Sequence, residues 1–189
     1  VRILYFFGEI VKIKFAFSIS GSVIEQLELY APEALETFRK LSKTGCVEFL
    51  AETYSHSLAS LISPTEFEKQ VKLHSALIQK NFGKKPKCFR NTELIYSDEI
   101  GAKVAKMGFT TMLTEGAKHI LGWKSPNYVY SNAINPKLNL LLRNFVLSDD
   151  IAFRFSDRSW QNWPVDVDKY IGWLKDAAKD GEVINLFMD

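Results

Sequence analysis

The alternation of short apolar runs with amphipathic helical runs constrains the fold of this chain more than any other feature. Several of the apolar runs are continuous, without alternating polar positions, which is typical of parallel strands that are buried on both faces. We predict strands at residues 3–10, 13–20, 46–52, 88–94, 110–113, 138–145, 151–155 and 183–188.

Helix start and stop signals lie between these runs. Ser63 and Glu66 form a capping box, and Gly83 can end the helix that they begin. Ser97 is placed to cap a second helix, which carries acidic residues in its first turn and ends near residue 108. We predict two further helices, at about residues 32–43 and 165–179.

The order of these elements indicates an α/β fold. Repeated strand–helix–strand units connect parallel strands by right-handed crossovers, and either a barrel or a doubly wound sheet satisfies this pattern. Residues 10–12 leave no room for a crossover helix between the first two predicted strands. Either those two runs form one bent strand, or a connection is missing from the chain. Because the chain begins at Val1 and ends on an apolar run, we expect it to be a fragment.

The composition excludes several classes of protein. The 189 residues suffice for one domain with a hydrophobic core, and a net charge of +2 does not indicate a nucleic-acid partner. There is no run of about 18 apolar residues, so we expect no membrane partner. Cys46 and Cys88 each lie in an apolar run, which favours buried free thiols and a reducing, cytoplasmic compartment.

Ionisable residues stand at the carboxyl ends of four predicted strands. Glu93 ends one strand and Asp189 follows the last, while Glu25 and the pair Glu52 and His56 follow two others. In a parallel barrel these strand ends meet at one rim, where catalytic residues lie. Glycoside cleavage needs one carboxyl group as nucleophile or base and another as acid. Each residue alone also fits a structural role, so the prediction rests on the set.

The sequence contains no motif that indicates a metal site, a phosphate-binding loop or a serine hydrolase. The three histidines lack the spacing of metal ligands, and the two cysteines do not form a CxxC pair. The chain contains neither a phosphate-binding glycine loop nor a GxSxG nucleophile elbow. We therefore predict no metal and no cofactor.

The segment from residue 115 to residue 135 has little periodicity and holds His119, Trp123, Tyr128 and Tyr130. Long ordered loops in small domains often build binding sites. We expect this segment to contribute to a ligand site.

Five segments, in order, resemble conserved segments of glycoside hydrolase family 57, which contains α-amylases and 4-α-glucanotransferases. Residues 89–99 (FRNTELIYSDE) are similar to the region of the family's nucleophile, and residues 20–27 resemble its second motif. Residues 47–58 resemble the next strand and loop. Residues 147–156 and 185–189 are similar to the α-amylase branch in particular. The family's His-Gln-Pro motif is absent, and the chain stops on the first residue of its Asp-x-Glu motif.

The resemblance implies an incomplete seven-stranded (β/α)7 barrel of parallel strands with outer helices. Residues 1–189 would form a single partial barrel domain, truncated at both ends. Glu93 matches the family's nucleophile, and Asp189 matches its general acid/base. The expected substrate-binding residues, through hydrogen bonds to sugar hydroxyls or ring stacking, are Glu25, His56, Trp123 and Tyr128. For the last two, simple packing within the loop is an equal alternative.

The function that the resemblance implies is retaining cleavage of α-1,4-glucans, as in α-amylases. Glucan transfer on the same scaffold is an alternative, because transferases and hydrolases differ mainly in how well the acceptor site excludes water. A metal-dependent polysaccharide deacetylase has a related irregular barrel but requires an Asp and paired His ligands. A non-catalytic carbohydrate-binding role is a further alternative. The expected partner is an α-glucan or oligosaccharide.

Overall fold

Six β-strands and eight α-helices lie in residues 13–188, the part of the chain that the computed structural model describes. The strands are β1 (Phe15–Phe17), β2 (Val47–Phe49), β3 (Cys88–Arg90), β4 (Thr111–Glu115), β5 (Val129–Ser131) and β6 (Asn139–Arg143). The helices are α1 (Gly21–Tyr30), α2 (Pro32–Lys43), α3 (Ala59–Ile62), α4 (Pro64–Phe82), α5 (Asp98–Lys106), α6 (Lys118–Leu121), α7 (Phe145–Ala152) and α8 (Val167–Ala177). A 3₁₀ turn at Thr92–Leu94 follows β3.

The four predicted helices are confirmed as α2, α4, α5 and α8. Ser63 accepts a hydrogen bond from the Glu66 amide, and Gly83 ends α4 in the left-handed conformation with φ of 77°. Ser97 caps α5 in the same way as Ser63 caps α4. None of the helices within residues 13–188 is long and apolar enough to cross a membrane.

The parallel strands follow one another around the sheet in chain order. β1 pairs with β2, and β3, β4 and β6 form a second parallel set, to which β5 adds an antiparallel strand. A parallel bridge between Ala51 and Phe89 joins the two sets. The order β1–β2–β3–β4–β6 lacks the reversal that defines a doubly wound sheet and has the winding of a barrel. Within residues 13–188 the sheet does not close, so the seven-stranded barrel remains a prediction.

The central strands are buried on both faces. Phe89 belongs to a core cluster that packs α4 and α5 against the sheet. Its neighbour Cys88 belongs to a smaller cluster that includes Leu50 and Leu113. Adjacent residues of a strand point to opposite faces, so both faces of β3 are covered. Cys46 and Cys88 are both buried thiols, as predicted.

The predicted strand at residues 151–155 is wrong. Asn144 caps α7 through a hydrogen bond from the Leu147 amide to its side chain, so a helix begins directly after β6 and runs to Ala152. Phe153 and Phe155, which the strand would have buried, are 71% and 53% exposed. The apolar run is therefore the end of a helix followed by an exposed turn.

Two other predicted strands have different outcomes. The run at residues 183–188 makes one parallel bridge, between Asn185 and Arg143, at the end of β6. The run at residues 3–10 and the short connection at residues 10–12 lie outside the described residues.

Candidate active site

The carboxyl ends of the parallel strands bring polar side chains to one rim of the sheet. Glu52 follows β2 and Glu93 follows β3, while Glu115 and Arg143 are the last residues of β4 and β6. Because all four strands run in the same direction, these residues leave the sheet at the same edge.

Backbone strain is concentrated at this rim. Glu93 and Leu94, in the turn after β3, have φ of 54° and 55°, and His56, after β2, has φ of 52°. They are the non-glycine residues with positive φ in the described part of the chain. Left-handed conformations cost roughly 1–2 kcal/mol per residue outside glycine and often mark functional sites.

The side chain of Glu93 is accessible and has a close neighbour. It is 72% exposed, and its Oε1 lies 3.4 Å from His56 Nε2. The other ring nitrogen, Nδ1, lies 2.9 Å from Oε2 of Glu52. The structure thus brings together Glu93 and His56, two residues that the sequence names, with Glu52 as the third member.

Glu52 is a buried carboxylate, only 2% exposed. Ser18, just after β1, donates a hydrogen bond of 2.8 Å to its Oε1, so both carboxylate oxygens have partners. A buried charge is stable only when it is paired and hydrogen-bonded in this way. The sequence names Glu52 only as a strand-end group and assigns it no role. The signal for such a role was the Glu-x-x-x-His spacing that begins at the last residue of a predicted strand.

His74 of α4 anchors the backbone beneath this group. Its Nδ1 accepts a hydrogen bond of 3.2 Å from the Glu52 amide, and its Nε2 donates one of 2.8 Å to the Ile19 carbonyl. The ends of β1 and β2 are thereby tied to one ring. Burial lowers the pKa of His74 below its ordinary value of 6.5, which keeps the ring neutral and able to accept at Nδ1.

The turn that carries Glu93 is held by buried polar side chains. Asn91, fully buried, donates to the Ser60 hydroxyl and to the Ile95 carbonyl, both at 2.9 Å. The hydroxyls of Thr92 and Thr53 lie 3.0 Å apart. These contacts join the turn after β3 to the loop after β2.

Glu25 lies on α1, and its Oε1 accepts a hydrogen bond from the Tyr54 hydroxyl. This bond is the main cause that raises the pKa of Tyr54 to about 12. Gly21, at the start of α1, makes the approach possible, because a Cβ there would lie 2.6 Å from the Tyr54 ring. The sequence did not predict α1 or this pairing.

Trp123 and Tyr128 lie in the segment between β4 and β6. Trp123 is 92% exposed. The Tyr128 hydroxyl donates to Asp180 Oδ1 at 2.8 Å, which raises the Tyr128 pKa and ties the segment to the chain after α8. The segment is more ordered than expected, since it contains α6 and β5. A role of either ring in sugar binding stays a prediction.

Asp189 lies outside the described residues. The residues before it are anchored at the rim: the Asn144 amide donates to the Asn185 carbonyl at 2.9 Å. Arg143 Nε donates to the Phe187 carbonyl at 3.2 Å, and the same side chain forms ion pairs with Glu115 and Asp149. The chain at residues 185–187 thus runs alongside the end of β6.

A family model for glycosyl hydrolase family 57 matches residues 2–189, almost the whole chain. The chain belongs to glycosyl hydrolase family 57. Within this family it is 49% identical over 178 residues to the protein of Methanocaldococcus jannaschii named "Putative alpha-amylase". That match covers 93% of this chain and 37% of the relative, so the chain spans about a third of the relative's length.

Solved structures share the fold. The 4-alpha-glucanotransferase from Thermococcus litoralis superposes with a TM-score of 0.75 at 21% identity, over 100% of this chain and 28% of that one. The "putative polysaccharide deacetylase" from Mycobacterium smegmatis gives a TM-score of 0.65 at 16% identity, over 95% of this chain and 59% of that one. At these identities the likeness concerns the fold alone. Residues 13–188 contain no group of three or more His, Cys, Asp or Glu residues able to hold a metal ion.

Proposed function

We propose that this family 57 chain is the catalytic barrel domain of a retaining glycosidase that cleaves α-1,4-glucans. One observation carries the proposal: an accessible carboxylate, Glu93, stands at the carboxyl end of a parallel strand on a strained backbone. Buried side chains hold the turn in place, and strain that is maintained in this way is characteristic of functional residues. The identity to a relative with an amylase name supports the choice of substrate.

In the proposed mechanism Glu93 attacks the anomeric carbon of the bound glucan. Asp189 protonates the glycosidic oxygen as the bond to the anomeric carbon breaks, and a covalent glycosyl-enzyme forms. Water then attacks the same carbon while Asp189 takes its proton, and Glu93 leaves as a carboxylate. Two displacements at one carbon retain its configuration.

Substrate contacts are proposed for Glu25, Trp123 and Tyr128. Glu25, held by the Tyr54 hydroxyl, would accept hydrogen bonds from sugar hydroxyls. The exposed ring of Trp123 offers a stacking face, and Tyr128 offers part of one. The two buried thiols, Cys46 and Cys88, support a reducing compartment and hence a cytoplasmic location for the enzyme.

Glucan transfer is the second candidate, because the fold does not separate it from hydrolysis: the 4-alpha-glucanotransferase from Thermococcus litoralis shares this fold. The first chemical step would be the same, and a sugar hydroxyl would replace water in the second. Incubation with maltotetraose separates the two activities. A hydrolase releases one new reducing end per cleavage, whereas a transferase gives a ladder of longer and shorter chains with no net gain.

The test of the proposed function is Glu93→Gln in the full-length protein. The amide has the same size but cannot act as a nucleophile, so release of reducing sugar from starch should fall by about 10³-fold or more. Glu68→Gln is a matched control, because Glu68 lies on α4 with a side chain 48% exposed and pairs only loosely with Lys72 at 3.8 Å. Full activity in Glu93→Gln would end the assignment.

A further inference from the structure

We propose that Glu52 and His56 form a positioning pair that holds the Glu93 carboxylate in the orientation for attack. The proposal rests on the proposed function, in which Glu93 is the nucleophile. The sequence predicts instead that His56 binds a sugar hydroxyl. In the positioning role both ring nitrogens of His56 contact carboxylates, so neither is left for the sugar.

The contacts define a chain of three side chains. Glu52 Oε2 lies 2.9 Å from His56 Nδ1, and His56 Nε2 lies 3.4 Å from Glu93 Oε1. The two ends differ in accessibility: the side chain of Glu52 is 3% exposed and that of Glu93 is 72% exposed. A buried charge at one end therefore fixes the ring, and the ring reaches the accessible carboxylate at the other. The second contact, at 3.4 Å, is longer than the first, at 2.9 Å.

In the proposed arrangement both ring nitrogens of His56 donate. Each faces a carboxylate oxygen, and an ionised carboxylate can only accept: Nδ1 faces Glu52 Oε2, and Nε2 faces Glu93 Oε1. The hydrogen bond from Nε2 to Glu93 then holds the attacking oxygen toward the sugar. The same N–H stabilises the carboxylate when it leaves in the second step.

The backbone fixes the distance between the two turns. The Ser57 amide donates to Thr53 Oγ1 at 2.8 Å, and that hydroxyl contacts Thr92 Oγ1 at 3.0 Å. His56 and Glu93 both have left-handed backbone conformations, so the backbone is strained at each end of the 3.4 Å contact between their side chains.

A fluorinated inactivator measures nucleophile positioning directly. A 5-fluoro-α-glucosyl fluoride reacts with a retaining enzyme when the nucleophile displaces fluoride from the anomeric carbon. Fluoride is a good leaving group, so this step needs no general acid and is independent of Asp189. The ring fluorine slows hydrolysis of the ester, so the labelled protein can be followed by intact-mass spectrometry and the labelled residue mapped by peptide sequencing.

Two substitutions at residue 56 separate the two contacts of the ring. The amide of Asn reaches only as far as Nδ1, so His56→Asn keeps a partner for Glu52 and loses Glu93, whereas Gln reaches toward Nε2. In the full-length protein, His56→Asn should slow labelling and lower kcat by about 10²-fold, the scale of a misplaced catalytic group. KM should change little, and His56→Gln should recover part of the loss. Glu68→Gln should label at the wild-type rate.

The outcomes distinguish the two proposals. An unchanged rate of labelling with a raised KM in His56→Asn would assign His56 to sugar binding and overturn the positioning role. Labelling of wild-type protein at a residue other than Glu93 would overturn the proposed function itself. Asn tolerates positive φ, so His56→Asn is expected to fold. If it does not, Glu52→Gln gives the same comparison: slower labelling supports the positioning role and an unchanged rate contradicts it.

Discussion

Glu93 has a backbone conformation that Glu rarely adopts, with φ of 54°. Asn tolerates the left-handed region better than other non-glycine residues, because its short side chain hydrogen-bonds locally. We predict that Glu93→Asn raises the free energy of unfolding by about 1 kcal/mol relative to Glu93→Gln. Urea denaturation of the two variants measures the difference. Equal stabilities would mean that the turn relaxes and stores no strain.

His74 gives the fold a specific dependence on pH. Burial holds its pKa in the folded protein below the ordinary 6.5, so the unfolded chain binds a proton more readily. This stabilisation is complete above about pH 6.5 and is lost as the pH falls toward the lower, folded value. We predict that the free energy of unfolding decreases more steeply between about pH 7 and pH 5 in wild type than in His74→Gln. Parallel slopes would contradict the assignment.

The residues of the candidate site were only partly predictable. Glu93 could be named because a strand-end position and a motif coincide there. Glu93 and its neighbour His56 both adopt left-handed conformations, and nothing in residue type requires such conformations outside glycine. Glu52 was harder to assign, because burial of a carboxylate depends on partners such as Ser18, which lies in another strand–loop unit.

Helix α1 depends on the absence of a side chain at its first residue. A Cβ at Gly21 would lie 2.6 Å from the Tyr54 ring, whereas Gly172 in α8 faces open space. We predict that Gly21→Ala lowers the free energy of unfolding by about 1–3 kcal/mol and weakens activity, since the ring must move away from Glu25. Gly172→Ala is the control and should stabilise by about 0.5–1 kcal/mol.

Thermal and chemical denaturation of the two glycine variants test this prediction, together with starch hydrolysis. An equal effect of both substitutions would mean that the Tyr54 ring moves freely, and that its hydrogen bond to Glu25 has no part in the site.

The elements that the sequence predicts well are those with local signals. Helix α4 begins at a capping box and ends at a glycine with positive φ, and neither feature depends on the rest of the molecule. The error at residues 151–155 has the opposite cause. The segment is as apolar as a buried strand, but the cap at Asn144 begins a helix there. Phe153 and Phe155 are exposed, so their apolar character did not indicate a buried position.

The winding of the whole molecule follows from strand order. Continuous apolar runs predicted parallel strands, but they could not distinguish a barrel from a doubly wound sheet. The pairing β1–β2–β3–β4–β6 makes that distinction, because each crossover strand is added on the same side of the previous one. The site at the carboxyl ends of these strands is a consequence of that winding.

If Glu93 and Asp189 act as a retaining pair, their carboxyl groups must lie close together in the folded protein. A crystal structure of the full-length protein gives the distance between them. We predict a separation of about 5–5.5 Å, which allows direct attack and protonation from opposite sides of the glycosidic bond. A separation of about 6.5–9.5 Å would leave room for a water molecule and indicate inversion, and one well beyond about 10 Å would exclude the pair.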